Sequence, residues 1–268
     1  MVLIINMGAT LSVFKLINPN KEKLMKGVNS NPQLTFQDLD LKDELGEARS
    51  NLKFFDYDET NNKVKYNAIH YTETISNPIR VYLDDIEDSF SNIPKEIITQ
   101  IKKGTKNIQE YQEIHKFEVI IDFKTNEVFV FANKKIANAF MRRFKRNGLI
   151  EYKKVYFNLS KVDDIPELAN IWGCWESCQG KCKKKAYFGT EVNKIEGIKK
   201  EQVTSYNVEY EYDSDTIVDL FIAIECRISS KSSLMTNAEL FRTYQELKKS
   251  LGADIKEDSS TEAFQEEE

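Results

Sequence analysis

Two apolar runs, Phe117 to Phe123 and Val128 to Phe131, are split by Lys124-Thr125-Asn126-Glu127, and no other stretch constrains the fold as tightly. β-branched and aromatic residues on both sides of a short polar link predict an antiparallel hairpin. It runs directly into Lys134 to Asn147, where Ile136, Phe140 and Phe144 fall at i, i+4 and i+8 and Gly148 stands where a C-cap belongs. The spacing predicts an amphipathic helix over 134–147 with a cationic outer face.

The pattern on either side is mostly β. Leu11 to Ile17 (or Leu3 to Ile5 for the first strand), Leu52 to Tyr57, Val64 to Tyr71 and Ile79 to Leu83 read as strands. Asp58-Glu59-Thr60-Asn61-Asn62 supplies the turn of a hairpin between two of them. Pro94 followed by Ile97, Ile98 and Ile101 predicts a helix over about 94–113. Tyr152 to Leu159 reads as a strand, Val162 to Ala169 as a short helix, and Ala186 to Val192 as a strand. Ser205 to Tyr212 and Thr216 to Ser229 are expected to pair across Asp213-Ser214-Asp215. Thr236 or Asn237 caps a last helix through Leu240, Tyr244, Leu247 and Leu251 to Gly252. The expected class is α+β, with a β-rich N-terminal region followed by a mixed α/β domain with antiparallel hairpins and a C-terminal helix. Its parts are residues 1–92, 93–252 and an acidic, disordered tail, 253–268.

A hydrophobic share of 41% against 30% charged residues is a globular balance. No apolar run reaches the roughly 18 residues of a membrane span, and the short apolar N-terminus lacks the features of a signal peptide. Four cysteines, three of them bunched, are too few and too local for a secreted disulfide scaffold. The expectation is a cytoplasmic protein.

The net charge of −5 conceals segregation. Asp38 to Glu47, Asp84 to Asp88 and the tail are acidic, whereas Lys134, Lys135, Arg142, Arg143, Lys145, Arg146, Lys153 and Lys154 face only Glu151. Cations on one exposed helix face neutralise phosphates without reading bases, so Lys134, Lys135, Arg142, Arg143, Lys145 and Arg146 form the candidate nucleic-acid-binding set. The alternative is a solvated face that balances the acidic blocks.

Cys174, Cys178 and Cys182 recur at four-residue intervals, with Cys226 or His115 as a fourth ligand for zinc. The spacing differs from paired C-x2–4-C knuckles, and the competing reading is a loop with partly buried thiols. Asp215, Asp219, Glu225 and Arg227 form a candidate metal-dependent nuclease set, because phosphodiester hydrolysis uses several acids and a cation around Mg2+. His70 and His115, the only histidines, sit in unrelated sequence contexts. No P-loop, dinucleotide-binding glycine motif or H-E-x-x-H occurs.

The hairpin and helix from Phe117 to Gly148, preceded by a β-rich third, resemble in layout the Rex-type phage-exclusion proteins and other uncharacterised proteins of bacterial mobile genetic elements. The resemblance covers about half the chain and implies non-specific DNA binding, often as a dimer, in antiviral defence; no catalytic residue carries over. A non-enzymatic binding protein is therefore the first expectation. The alternatives are the nuclease and a zinc-stabilised protein-interaction module with a protein or homodimer partner.

Overall fold

The computed structural model describes residues 9–19, 21, 24, 33–36, 49–71, 75–76, 110–111, 114–146, 150–178, 184–213, 216–230, 232 and 235–255. The N-terminal strands are β1 (Thr10–Ile17), β2 (Gln33–Phe36), β3 (Arg49–Asp58), β4 (Lys63–Tyr71), β5 (Ile75–Ser76), β6 (Glu110–Tyr111), β7 (Ile114–Asp122) and β8 (Glu127–Val130). Helix α1 (Lys134–Arg146) leads to β9 (Glu151–Lys154), β10 (Tyr156–Phe157) and a 3-10 turn, Leu159–Asp164. There follow β11 (Leu168–Ser177), β12 (Lys184–Phe188), β13 (Val203–Asp213), β14 (Thr216–Ala223), β15 (Arg227–Ser230), helix α2 (Asn237–Leu251) and β16 (Ala253–Asp254).

Twelve strands form one sheet in the order β12, β11, β13, β14, β15, β1, β8, β7, β4, β3, β2, with β9 also paired to β1. Every one of its pairings is antiparallel. Strand β1 is the seam. Along one edge its Thr10 to Ser12 pair with β15 and its Phe14 to Ile17 with β9, while Ser12 to Lys15 pair with β8 on the other edge.

Two cores lie on opposite faces at this seam. Leu11 and Val13 join Phe129 and Phe131 under Leu240, Tyr244, Leu247 and Leu251 of α2. Phe14 and Leu16 join Val128 and Val130 under Ile136, Phe140, Met141 and Phe144 of α1. Side chains alternate across a strand, so a strand covered on both faces buries every position, as Glu127 to Val130 do. Helix α1 rests on the half of the sheet built from β1, β8, β7, β4 and β3, since those strands supply its core partners. The same face over β15, β14, β13, β11 and β12 carries no helix among the described residues.

The hairpin of β7 and β8 forms as expected, closed by an Asp122 carboxylate that accepts from the Lys124 and Thr125 amides at 2.8 and 3.1 Å. Asn126 takes the left-handed conformation there, as Asn62 does in the hairpin of β3 and β4. Helix α2 starts on a capping box: Thr236 Oγ1 accepts from the Glu239 amide at 3.3 Å, and the Thr236 amide donates to Glu239 at 2.5 Å.

Other expectations are corrected. The molecule is mainly β, where the sequence suggested a balanced α+β fold. The segment 162–169 is no α-helix: the 3-10 turn ends at Asp164 and β11 begins at Leu168. Thr216 to Ser229 is two strands, since the chain turns at Ile224 to Cys226, with Cys226 at φ 47°. Glu110–Tyr111, the expected end of a helix, is a strand paired to β5, while the rest of 94–109 lies outside the described residues. Strands on the two sides of the boundary expected at residue 92 pair with one another, β4 with β7 and β1 with β8. Ala253–Asp254 pair with β10, whereas 256–268 of the expected tail, Leu3 to Ile5 and 79–83 lie outside the described residues.

Candidate functional site

Helix α1 has six cations and no acid in KKIANAFMRRFKR. Its apolar stripe is buried, which leaves Lys134, Lys135, Arg142 and Lys145 exposed on the opposite side. Two lysines in a first turn without an acid oppose the positive end of the helix dipole. Helix stability therefore does not account for them. Lys134 is offset from outside the helix: its Nζ lies 2.8 Å from Glu225 Oε2, and Lys154 Nζ lies 3.7 Å from Glu225 Oε1. Burial raises the Glu225 pKa, but the hydrogen bond and charge of Lys134, with Lys154 and Arg227, outweigh it and hold the carboxyl below its ordinary value.

Arg143 differs from its neighbours. It is half-buried, with its guanidinium 3.5 Å from His70 Nδ1. His70 in turn stands directly across from His115 in the pairing of β4 with β7. The two histidines thus share one place, contrary to the unrelated contexts read from sequence. Burial first, then the charges of Arg143 and His115, press the His70 pKa down to about 3. The Arg146 side chain lies outside the described residues.

Glu225, Lys134, Lys154 and Arg227 line a narrow cleft with Ser12, Val13, Phe14 and Asn138. Ser12 Oγ and Arg227 Nε are buried there with no hydrogen-bond partner among the described residues. From this cleft the uncovered sheet face extends across five strands. Register puts Ser12, Arg227, Ala223, Ser205, Trp175 and Ala186 in one row. Ser229, Phe221, Asn207, Gly173 and Phe188 make the next. The solvated face of an antiparallel sheet is ordinarily polar. This one holds an aromatic cluster instead: Trp175 packs edge-on against Phe188 at 5.5 Å and Phe221 at 5.8 Å, and the Arg227 guanidinium lies 5.1 Å over the Phe221 ring. Phe188 is 63% exposed and Ile217, on the same face, 60%. Trp172 donates to Asp219 at 3.2 Å at its margin.

Cys174 and Cys226 do not converge. Of the segment Trp172 to Cys182, for which a loop was the competing reading, Trp172 to Ser177 belong to strand β11, which sends Cys174 into the α2 core. Cys226 is buried in the same core, but two strands, β13 and β14, lie between β11 and β15, so the thiols are roughly 14 Å apart at strand spacing. Burial, with Glu176 nearby, pushes the Cys174 thiol up to about 11, and burial raises Cys226 well above its ordinary value. Cys178 is half-buried, with Sγ 3.9 Å from the Glu176 carbonyl, and Cys182 lies outside the described residues. Among the described residues no three His, Cys, Asp or Glu side chains gather as a metal site.

Asp219 and Glu225 of the nuclease set are also apart. Asp219 faces Glu209 in mid-strand, while Glu225 lies in the turn beyond Ala223, roughly 14 Å or more along the chain at strand rise. That exceeds the span over which two carboxylates share one Mg2+. Asp215 lies outside the described residues.

Sequence reasoning missed the aromatic face. The available signal was in Thr216 to Ala223, where Ile217, Phe221 and Ala223 alternate with Val218, Leu220 and Ile222, so both faces of that strand are apolar. Among the described residues no helix is long and apolar enough to cross a membrane. Compared with known proteins, the chain matches no family model and no curated relative.

Proposed function

We propose that this is a cytoplasmic, non-enzymatic protein that binds nucleic acid without reading its sequence, through the cationic face of α1. The observation that carries the reading is a helix with six cations and no acid, whose first-turn lysines work against its own dipole. Such a face attracts phosphates by counterion release, which makes affinity steep in salt and tolerant of sequence. The antiviral role implied by the Rex-type layout, in a mobile genetic element, belongs to the same proposal.

The test uses Lys135→Glu, Arg142→Glu and Lys145→Glu together, because these side chains are exposed and Arg143 is packed against His70. Fluorescence anisotropy against a labelled duplex across a salt series is expected to give strong binding by the wild type at low salt. The triple variant should lose it, with the slope of log K against log salt falling by about 3. A wild-type protein that retains neither DNA nor RNA at low salt refutes the proposal.

A further inference from the structure

Resting on that reading, we infer that the ligand is single-stranded nucleic acid, and that its bases stack on the open sheet face at Trp175 and Phe188 while its phosphates follow Arg227, Lys134 and Lys154 onto α1. The face has the parts such a ligand uses. Aromatic rings take any base by its π-face, and adjacent cations track the backbone. Here the rings of Phe221, Trp175 and Phe188 form a continuous series, with successive centroids 5.8 and 5.5 Å apart. Around them the outward positions are Ala223, Ser205, Ala186 and Gly173, so the rings stand on a low floor. A Cβ on Gly173 would meet Asn207 at 3.1 Å and Phe188 at 3.5 Å, which ties that floor to the position of the Phe188 ring.

Charge is complementary at one end. Lys134, Lys154 and Arg227 surround the single carboxylate of Glu225, which leaves cations in excess where the rings meet α1. Arg227 over Phe221 links the two surfaces. At the opposite margin Asp219 and Glu209 share the face, and Asp219 is engaged by Trp172. The backbone is thus directed toward the β15 and α1 side. A duplex keeps its bases stacked inside and presents only phosphates to rings of this kind, so the aromatic face discriminates in favour of single strands.

Both tryptophans of the chain, Trp172 and Trp175, have their side chains on this face, so intrinsic fluorescence reports on it. A dT oligonucleotide of about 20 residues, long enough for one such groove, is titrated into the wild-type protein and compared with a duplex of equal length. The expected result is tryptophan quenching by dT, and about tenfold weaker dT binding by Phe188→Ala with duplex binding and its salt slope unchanged. Phe188 is exposed on the edge strand β12, so its truncation leaves the cores intact; Trp175→Leu provides a second variant. Equal binding of dT and duplex without quenching, and without an effect of either variant, overturns the stacking platform and leaves the α1 reading standing. Binding of neither form, nor of an RNA of equal length, overturns both. A concentration-dependent dimer in sedimentation that Phe188→Ala dissociates also overturns it, because the face is then covered by a second copy.

Discussion

Replacing Lys248 by Met is expected to cost more stability than replacing its partner Glu127 by Gln, although both variants break the same ion pair. Glu127 stands on β8 at the seam between the cores and is 1% exposed. One oxygen, Oε1, accepts from Tyr244 Oη at 3.0 Å and Lys248 Nζ at 2.6 Å, while Oε2 has no partner among the described residues. The side chains differ in their access to water, 29% exposed for Lys248 and 2% for Glu127. A lysine that loses its partner turns outward on a flexible stem. A buried carboxylate has no such escape, and stranding a buried charge costs about 3–5 kcal/mol. Lys248→Met is therefore expected to cost about 3 kcal/mol or more, and Glu127→Gln about half that. At 2–4 °C per kcal/mol for a domain of this size class, the Tm should fall by roughly 6–12 °C and 3–6 °C respectively. Thermal unfolding by circular dichroism, with both singles and the double variant, checks this. In the double variant most of the Lys248→Met loss should return. Equal losses in the two single variants, or additivity within about 0.5 kcal/mol in the double, would refute the reasoning.

His70 is neutral when folded because its pKa is pressed down to about 3, whereas the unfolded chain takes up its proton near 6.5. The unfolded state thus gains a proton as pH falls through this window, and stability present above 6.5 is lost below it. Between pH 7 and 5 urea unfolding should show His70→Gln losing about 2 kcal/mol less than the wild type; equal losses would contradict it. Cys174 and Cys226, buried with raised pKa values, should resist a thiol reagent at neutral pH until the protein unfolds, while Cys178 reacts earlier; mass spectrometry of timed alkylation reads the order. Thr236→Ala removes one side of the capping box and should cost about 1 kcal/mol in chemical denaturation.

Sequence patterning disclosed those elements whose signals are local. The tetrad 124–127, the i, i+4, i+8 stripe of α1 and the Thr236 to Gly252 frame of α2 each contain their own boundaries, and each formed where expected. Strand β11 was hidden because three irregularities in its register with β13, between Leu168 and Asn170, Ile171 and Gly173, and Trp175 and Glu176, break the alternation that marks a strand. The Ile224 to Cys226 turn has no glycine or proline to announce it; the chain accepts a left-handed cysteine instead, at a strain cost of about 1 kcal/mol or more. The candidate site was half legible. Charge clustering on α1 is a property of contiguous residues. The approach of Trp175 to Phe188 and Phe221, of Arg227 to Phe221 and of His70 to His115 arises only from the order of strands in the sheet, which no local pattern carries.

Strand β1 has a consequence for how the protein is made. Thr10 bonds to Ser229 across 219 residues of chain, and both cores close on that strand. At ribosomal speeds of about 5–20 residues per second, β1 is complete for tens of seconds before β15 has been synthesised. During that interval an apolar strand with two open edges is exposed to every other nascent or misfolded chain nearby. Pairing with β8 and β9, which emerge first, shields one edge and part of the other. The last strand of the twelve-stranded sheet to arrive, β15, therefore finds a docking position only three residues long, Thr10 to Ser12, and the C-terminal half of the molecule is assembled onto a nearly finished N-terminal half.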